Sequence, residues 1–159
     1  MTGPSSTQIV SVSLALAGEQ TGRIDTNHAG TPQARLHILW GALMLTLTSP
    51  TQTGYLLDVW QRAALAARAL PMTQRDLRPL SGMDPRLNTP GVVTTMYGLP
   101  VWTVDTVAAR ITPNRHHVPQ HVTVRIGGLT WQCFDQTATR SACGIFARAH
   151  RIAPALFGA

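Results

Sequence analysis

One stretch of this chain occurs twice. Displaced by 86 positions, residues 36–70 lie over residues 122–156 without a gap, and nine of the 35 positions are identical. Gly41 meets Gly127, Leu43 meets Leu129, Thr51 and Thr53 meet Thr137 and Thr139, and Arg62-Ala63 meets Arg148-Ala149. A duplicated unit constrains architecture more than any local signal, because both copies must bury the same pattern of faces.

The second copy tells what the unit is. Val122-Thr123-Val124-Arg125-Ile126 alternates apolar with polar, Gly127-Gly128 follows, and Leu129-Thr130-Trp131-Gln132-Cys133 alternates again. Two period-two runs around a glycine pair read as a β-hairpin, since a tight primed turn needs positive φ. By analogy Ala34–Trp40, Gly41-Ala42 and Leu43–Thr48 form the first hairpin. A helix follows each. Leu56, Val59, Trp60, Ala63, Ala67 and Leu70 make one apolar stripe, and Ala142, Cys143, Phe146, Ala149, Ile152, Ala153 and Leu156 make the other. Ser49-Pro50 or Thr51 is expected to cap the first helix, which stops before Pro71, and Thr137 or Thr139 the second. Asp135 at the second strand-to-helix junction reads as an ordinary cap. Pro154 is expected to break or fray the last turn. Trp60 and Phe146, at the same repeat position, read as core anchors.

Strands are also expected ahead of each hairpin. Val10, Val12, Leu14 and Leu16 alternate with Ser11, Ser13 and Ala15, and Arg23-Ile24-Asp25 begins a second strand. In the second copy Val92–Tyr97, Val101–Thr106 and Val107–Ile111 take that place, with a loop over residues 113–119. The fold class is therefore α+β, two internal repeats of antiparallel strands followed by one helix, forming one pseudo-symmetric domain. The copies are expected to pair sheet to sheet or to swap helices around a shared core. The expected divisions are a disordered N-terminus at 1–8, repeat 1 at 9–70, a Pro-rich linker at 71–91 and repeat 2 at 92–159.

Composition narrows the function classes. All thirteen basic residues are arginine, against seven acidic ones, for a net charge of +6. A GC-rich coding bias is the plain reading of the missing lysine, but the consequence is physical: a planar guanidinium suits phosphate and carboxylate better than a point charge does, and the basic balance favours acidic partners such as nucleic acid. Nothing matches GxGxxG, the P-loop, GxSxG or HExxH. Glu19 is the sole glutamate, and the aspartates show no paired spacing, so no catalytic residue and no cofactor is expected. Cys133 falls on a strand and Cys143 on a helix, positions of buried reduced thiols. The apolar run Leu36–Leu47 is too short to span a bilayer, and residues 1–8 lack the pattern of a secretion signal. A soluble, cytoplasmic protein with no membrane partner is expected.

The candidate binding residues are mostly arginines. Arg140, Arg148 and Arg151 line the last helix opposite its apolar stripe, Arg125 points away from Val124 and Ile126, and Arg115 lies in the adjoining loop. Contact with nucleic-acid phosphate is the functional reading, and a solvated face the plain one. Phe134, Tyr97 and Trp102 are the candidates for base stacking. His116, His117 and His121 form a weak candidate metal cluster, with no carboxylate or thiol to complete it.

The two repeated stretches, LHILWGALMLTLTSPTQTGYLLDVWQRAALAARAL and VTVRIGGLTWQCFDQTATRSACGIFARAHRIAPAL, are similar in organisation to the PUR and Whirly nucleic-acid-binding proteins. The resemblance is one of topology. It implies four strands and a helix in each repeat, two intertwined repeats, and single-stranded nucleic acid as a partner. The expected function is thus non-enzymatic, regulatory binding of single- or double-stranded nucleic acid. The alternatives are a module that assembles as a homo-oligomer or with a protein partner, and a small-molecule-binding domain.

Overall fold

The alternating runs and helical stripes become two four-stranded sheets and two helices in a computed structural model, which describes residues 11–74 and 91–158. The strands are β1 Val12–Leu16, β2 Gly22–Asn27, β3 Arg35–Trp40, β4 Leu43–Leu47, β5 Val92–Thr95, β6 Trp102–Val107, β7 Arg110–Ile111, β8 His117–Val118, β9 His121–Ile126 and β10 Leu129–Cys133. The helices are α1 Pro50–Ala66, extended by a 3-10 turn at Ala67–Ala69, and α2 Gln136–Phe157. The class is α+β. The expected N-terminal segment 1–8 and most of the Pro-rich linker, residues 75–90, lie outside the described residues. Among the described residues no helix is long and apolar enough to cross a membrane.

Sheet I runs β2-β3-β4-β5 and sheet II runs β1-β10-β9-β6. The first strand of each half has therefore crossed into the sheet of the other half. β1 pairs parallel with β10, Val12 opposite Leu129, and β5 pairs parallel with β4, Val92 opposite Leu43. Helices were one expected means of exchange; the structure exchanges strands instead. The physical reason lies in edge pairing. A three-stranded antiparallel unit leaves the last hairpin strand unpaired on one side, and the partner half's first strand fills that side.

The repeat now extends past the gapless stretch. β3, β4 and the start of α1 recur 86 positions on, whereas β1 and β2 recur at a displacement of 80. The difference of six is the extra length of the β6-to-β9 connection, residues 108–120, over the β2-to-β3 connection, residues 28–34. That insertion carries the β7–β8 ribbon, so part of the expected loop at 113–119 is strand. The parallel registers obey the same mapping, and so do their entry bonds: Val12 N–H donates to Gly128 O at 2.9 Å and Val92 N–H to Ala42 O at 2.7 Å.

Local signals place the elements. Gly41 (φ 59°) and Gly127 (φ 56°) take the left-handed turn position of the two hairpins, where any other residue is strained. Ser49 caps α1, its hydroxyl accepting from Gln52 N–H at 3.4 Å, and Pro50 occupies the first turn. Asp135 caps α2, accepting from Ala138 N–H at 2.8 Å, so Thr137 and Thr139 lie inside the helix rather than at its cap. Pro154 also lies inside α2, which continues to Phe157 and closes on left-handed Gly158. A proline removes one donor bond, and here the carbonyl it leaves belongs to exposed His150.

The core sits where both sheets and both helices converge. α1 packs against β6 and β9, and α2 against β2 and β3. The helices run antiparallel, with Thr53 beside His150 at one end and Gln136 bonded to Leu70 at the other. Trp40 from sheet I, Trp131 from sheet II, Trp60 from α1 and Phe146 from α2 meet in the middle. Trp60 and Phe146 stack at 5.8 Å and 9°, Trp40 and Trp131 at 5.9 Å and 15°. The cross pairs are edge-to-face, Trp40 on Trp60 at 5.3 Å and Trp60 on Trp131 at 5.4 Å. Such pairs add about 0.5–1.5 kcal/mol each beyond the area they bury.

Candidate nucleic-acid interface

The swapped architecture leaves each sheet an outer face, turned away from the helices. On sheet II the strand pleat sends Arg125, Thr123 and His121 outward between buried Val122, Val124 and Ile126. The registers then set them in rows: Ser13, Thr130, Arg125 and Thr103 in one, Ala15, Gln132, Thr123 and Asp105 in the next. His121 lies opposite Val107 in the third. Arg110, on the inserted β7–β8 ribbon, joins Ser13, Thr130, Gln132, Arg125 and His121 in lining a groove of ≈ 570 Å³. The groove thus offers two guanidinium groups, several hydroxyls, an amide and an imidazole.

Among the described residues its charges are uncompensated by ion pairing. The ion pairs among the described residues are Arg23 with Asp25 at 2.9 Å and Arg62 with Asp58 at 3.3 Å. Arg110, Arg115, Arg125, Arg140, Arg148 and Arg151 take part in neither. A guanidinium whose hydrogen-bonding fork is left to solvent exchanges water for phosphate oxygen at little cost.

The five arginines expected to bind phosphate fall on separate surfaces. Arg125 is exposed on the sheet II face. Arg115 lies in the turn of the ribbon, exposed and at φ 61°. Arg140, Arg148 and Arg151 are exposed on α2, on the helix side of the fold. Two of these already hold protein partners: Arg140 donates to Gln136 Oε1 at 3.2 Å, and Arg148 to Gly22 O at 2.9 Å. Arg148 has a sister in Arg62, whose guanidinium lies 5.3 Å from the centroid of Trp102. Both arginines clasp the second strand of the opposite half, which is a structural use.

The stacking candidates also separate. Phe134 is 6% exposed, its ring tilted against His121 at 5.1 Å, so no base can reach it. It follows the last residue of β10 and points outward as its phase implies, but the neighbouring imidazole covers it. Trp102 is half-buried under Arg62. Tyr97 alone of the three is open to solvent, at 86% exposure, on the β5-to-β6 connection. As for the metal candidates, His116 and His117 are exposed on the ribbon whereas His121 is buried. Among the described residues no three His, Cys, Asp or Glu side chains are grouped to hold a metal ion.

The cysteines are free, and neither is poised as a nucleophile. Burial, with Asp135 nearby, pushes the Cys133 thiol up to about 12, and burial also raises Cys143. Both stay protonated at neutral pH.

Sequence reasoning identified Arg125 and counted Arg110 in the positive charge of the second half, but it did not set the two on one face and it missed the polar lining of the groove. The alternation of β9 and β10 already put Thr123, Thr130 and Gln132 on the face of Arg125. Arg110 belongs there only because the inserted ribbon folds beside the sheet, and no local period encodes that.

A second concavity, ≈ 430 Å³, opens between the sheets beside β1 and β5. Leu45, Leu56, Met96, Leu129 and Trp131 line it. Val93, Tyr97 and Val101 stand nearby in the sequence at 70%, 86% and 84% exposure.

Comparison with protein-family models, with curated proteins and with solved structures finds no match for this chain.

Proposed function

We propose that the protein is a non-enzymatic, regulatory binder of nucleic acid that grips phosphates through the outer face of sheet II. The observation that carries this reading is the groove itself: Arg110 and Arg125, in no ion pair with described residues, share one concave face with neutral hydrogen-bonding groups. The single carboxylate on that face among the described residues is Asp105. Arg115, exposed in the turn of the ribbon, adds positive charge on the side of the inserted ribbon.

Phosphate neutralisation releases counterions, so affinity should fall steeply with salt. A mobility-shift titration at two salt concentrations, with single- and double-stranded oligonucleotides, tests this. Arg125→Gln should weaken binding across sequences and lower the salt slope by about one. Absence of salt-sensitive binding at micromolar protein overturns the reading.

The apolar cleft beside β1 and β5 favours a second reading, a protein-interaction module. Edge strands accept an added strand through their backbone groups, and the exposed Val93 and Val101 would be covered by a partner. A stable oligomer in light scattering, with no affinity for nucleic acid, would support this second reading over the first.

A further inference from the structure

The connection that leads into each half's hairpin differs between the halves in build as well as length. The shorter one, residues 28–34, carries no arginine and is tied to the body of the fold: Gly30 N–H donates to Leu156 O at 2.8 Å, and Ala34 is buried. The longer one, residues 108–120, becomes the β7–β8 ribbon, with Arg110 opposite Val118 and Ile111 opposite His117. Its further bonds close its own tip. Thr112 N–H donates to His116 O at 2.9 Å, Arg115 N–H to Thr112 O at 2.8 Å, and His116 N–H to Thr112 Oγ1 at 3.1 Å. Among the described residues, no hydrogen bond joins residues 110–118 to another element. Residues 108–111 and 113–117 are exposed, Ile111 to 72%. A two-stranded ribbon standing largely in water is marginal by itself, so stability does not explain the insertion.

The tip argues the same way. The bonds at Thr112 enclose a three-residue loop, Pro113-Asn114-Arg115, whose last position is left-handed and usual for glycine. Arg115 occupies it at φ 61°. An arginine is strained there where glycine is not, and strain kept at an exposed tip points to a use for the side chain. Charge indicates the kind of use. Residues 108–120 hold Arg110 and Arg115 and no acidic residue, and the nearest carboxylates along the chain are Asp105 and Asp135. Such a segment is complementary to a polyanion.

Shape selects the polyanion. The major groove of double-stranded DNA is about 12 Å wide and about 8.5 Å deep, and it admits a two-stranded ribbon. Arg110 and Asn114 are four residues apart, about 13 Å at the rise of a strand. A tip at the groove floor therefore leaves Arg110 near the level of the phosphates, where it borders the sheet II groove together with Arg125. The major groove of duplex RNA is deep and too narrow for side chains, and a single strand has no groove to enter. We infer that the β7–β8 ribbon is an arm that enters the major groove of double-stranded DNA with Arg115 at its tip, while the sheet II groove holds phosphates alongside. The inference rests on the nucleic-acid reading and names its partner as duplex DNA.

Mobility shifts with one sequence as duplex DNA, single-stranded DNA and duplex RNA, at one salt concentration, test it. The full chain should bind the DNA duplex about tenfold or more tightly than the other two. Arg115→Gly suits the turn, so its melting temperature should hold or rise. Its duplex affinity should nevertheless fall about tenfold, with single-strand affinity changed by less than about twofold. Arg68→Gln removes the same charge from the helix side, where Arg68 is exposed, and should change duplex affinity by less than about twofold. Guanine N7 lies in the major groove. The full chain should protect it from dimethyl sulfate, and a variant carrying residues 28–34 in place of residues 108–120 should not. Should that exchange fail to fold, Arg115→Gly takes its place in the footprint. An Arg115→Gly protein with unchanged duplex affinity and footprint overturns the arm and leaves the nucleic-acid reading standing. Equal or tighter binding of single strands or of duplex RNA does the same. An equal fall in Arg68→Gln shows attraction by total charge and also overturns the arm. If none of the three is bound at micromolar protein, the arm and the nucleic-acid reading fail together.

Discussion

The two halves of this protein agree inside and disagree outside. Inward positions pair like with like across the pseudo-twofold: Leu36 with Val122, Ile38 with Val124, Leu43 with Leu129, Trp60 with Phe146, all in the core or packed on it. Outward positions pair unlike residues. Leu39 on sheet I corresponds to Arg125 on sheet II, Met44 to Thr130, Val93 to Ser13 and His37 to Thr123. Because each half lends a strand to the other, an inward change is felt by both sheets at once, and the core resists divergence. An outward change is felt within its own sheet and does not reach the other. The differences between the sister faces are therefore where binding specificity is to be sought.

The largest effect should come from breaking what the halves share. Trp60→Ala and Phe146→Ala each remove one ring from the central cluster of four, and each should cost about 3–5 kcal/mol in urea denaturation. Since the rings stack on each other, the double variant should cost clearly less than the sum. Additive losses, or a loss at one site alone, would mean that the halves hold separate cores.

Next come the two junctions where a lent strand is tied to a helix start. Gly18 lies in the β1-to-β2 connection and Gly98 in the β5-to-β6 connection, 80 positions apart and both at positive φ. The fully buried Asp135 carboxylate accepts from Gly18 N–H at 2.8 Å, Gln74 N–H at 3.0 Å and Ala138 N–H at 2.8 Å. The sister junction hands that task to Gln52, whose amide donates to Met96 O at 2.8 Å and Gly98 O at 3.1 Å and accepts from Thr48 N–H at 2.7 Å. Asp135→Ala should cost about 3 kcal/mol and Gln52→Ala about 2 kcal/mol, because each strands buried polar backbone groups and the first also removes a charged cap. Ser49→Ala, with its long capping bond, should cost less than about 1 kcal/mol. Equal losses at Asp135 and Ser49 would show capping alone, with no role in tying the strand.

The turn glycines sharpen the comparison further. Gly41 and Gly127 share a left-handed conformation, but a Cβ at Gly127 would stand 3.3 Å from Pro100 Cβ, while Gly41 has open space. Gly41→Ala should cost about 1 kcal/mol from backbone strain alone, and Gly127→Ala visibly more. The inequality should show as a lower melting temperature for the second.

These contrasts mark what the chain spelled out and what it did not. Val122–Cys133 alternates so cleanly that its hairpin was legible, and it carried the ambiguous Leu36–Leu47 with it. The stripes of α1 and α2 and the Trp60–Phe146 pairing were legible too, because burial periodicity is written locally. The strand exchange was not. β1 reads the same whether it pairs with its own half or the other, since register partners 117 positions apart leave no mark on either segment. The repeat was visible only over the stretch of constant spacing, and the six-residue insertion hid its first two strands. Arg125 was readable as an outward residue. Phe134 was misjudged because phase tells which way a side chain points and not whether a neighbour, here His121, covers it.

The smallest stability effect, and the most informative for function, belongs to the outer faces. Arg125→Leu and Leu39→Arg exchange the sister residues while leaving every inward position alone, so each should change stability by no more than about 0.5 kcal/mol. Their effects on oligonucleotide affinity should differ. Arg125→Leu removes a cation from a groove that also presents Arg110, Thr130 and Gln132, and should weaken binding at low salt and lower the salt slope by about one. Leu39→Arg restores the net charge but sets the cation between Arg23 and Met44, with Arg23 already paired to Asp25. Placed in the Arg125→Leu background, it should recover less than half of the lost affinity. Full recovery would show that the protein attracts polyanions by total charge, with either face serving. Failure to recover would tie binding to the one face where the inserted ribbon, the hydroxyls and the amide stand beside the arginines.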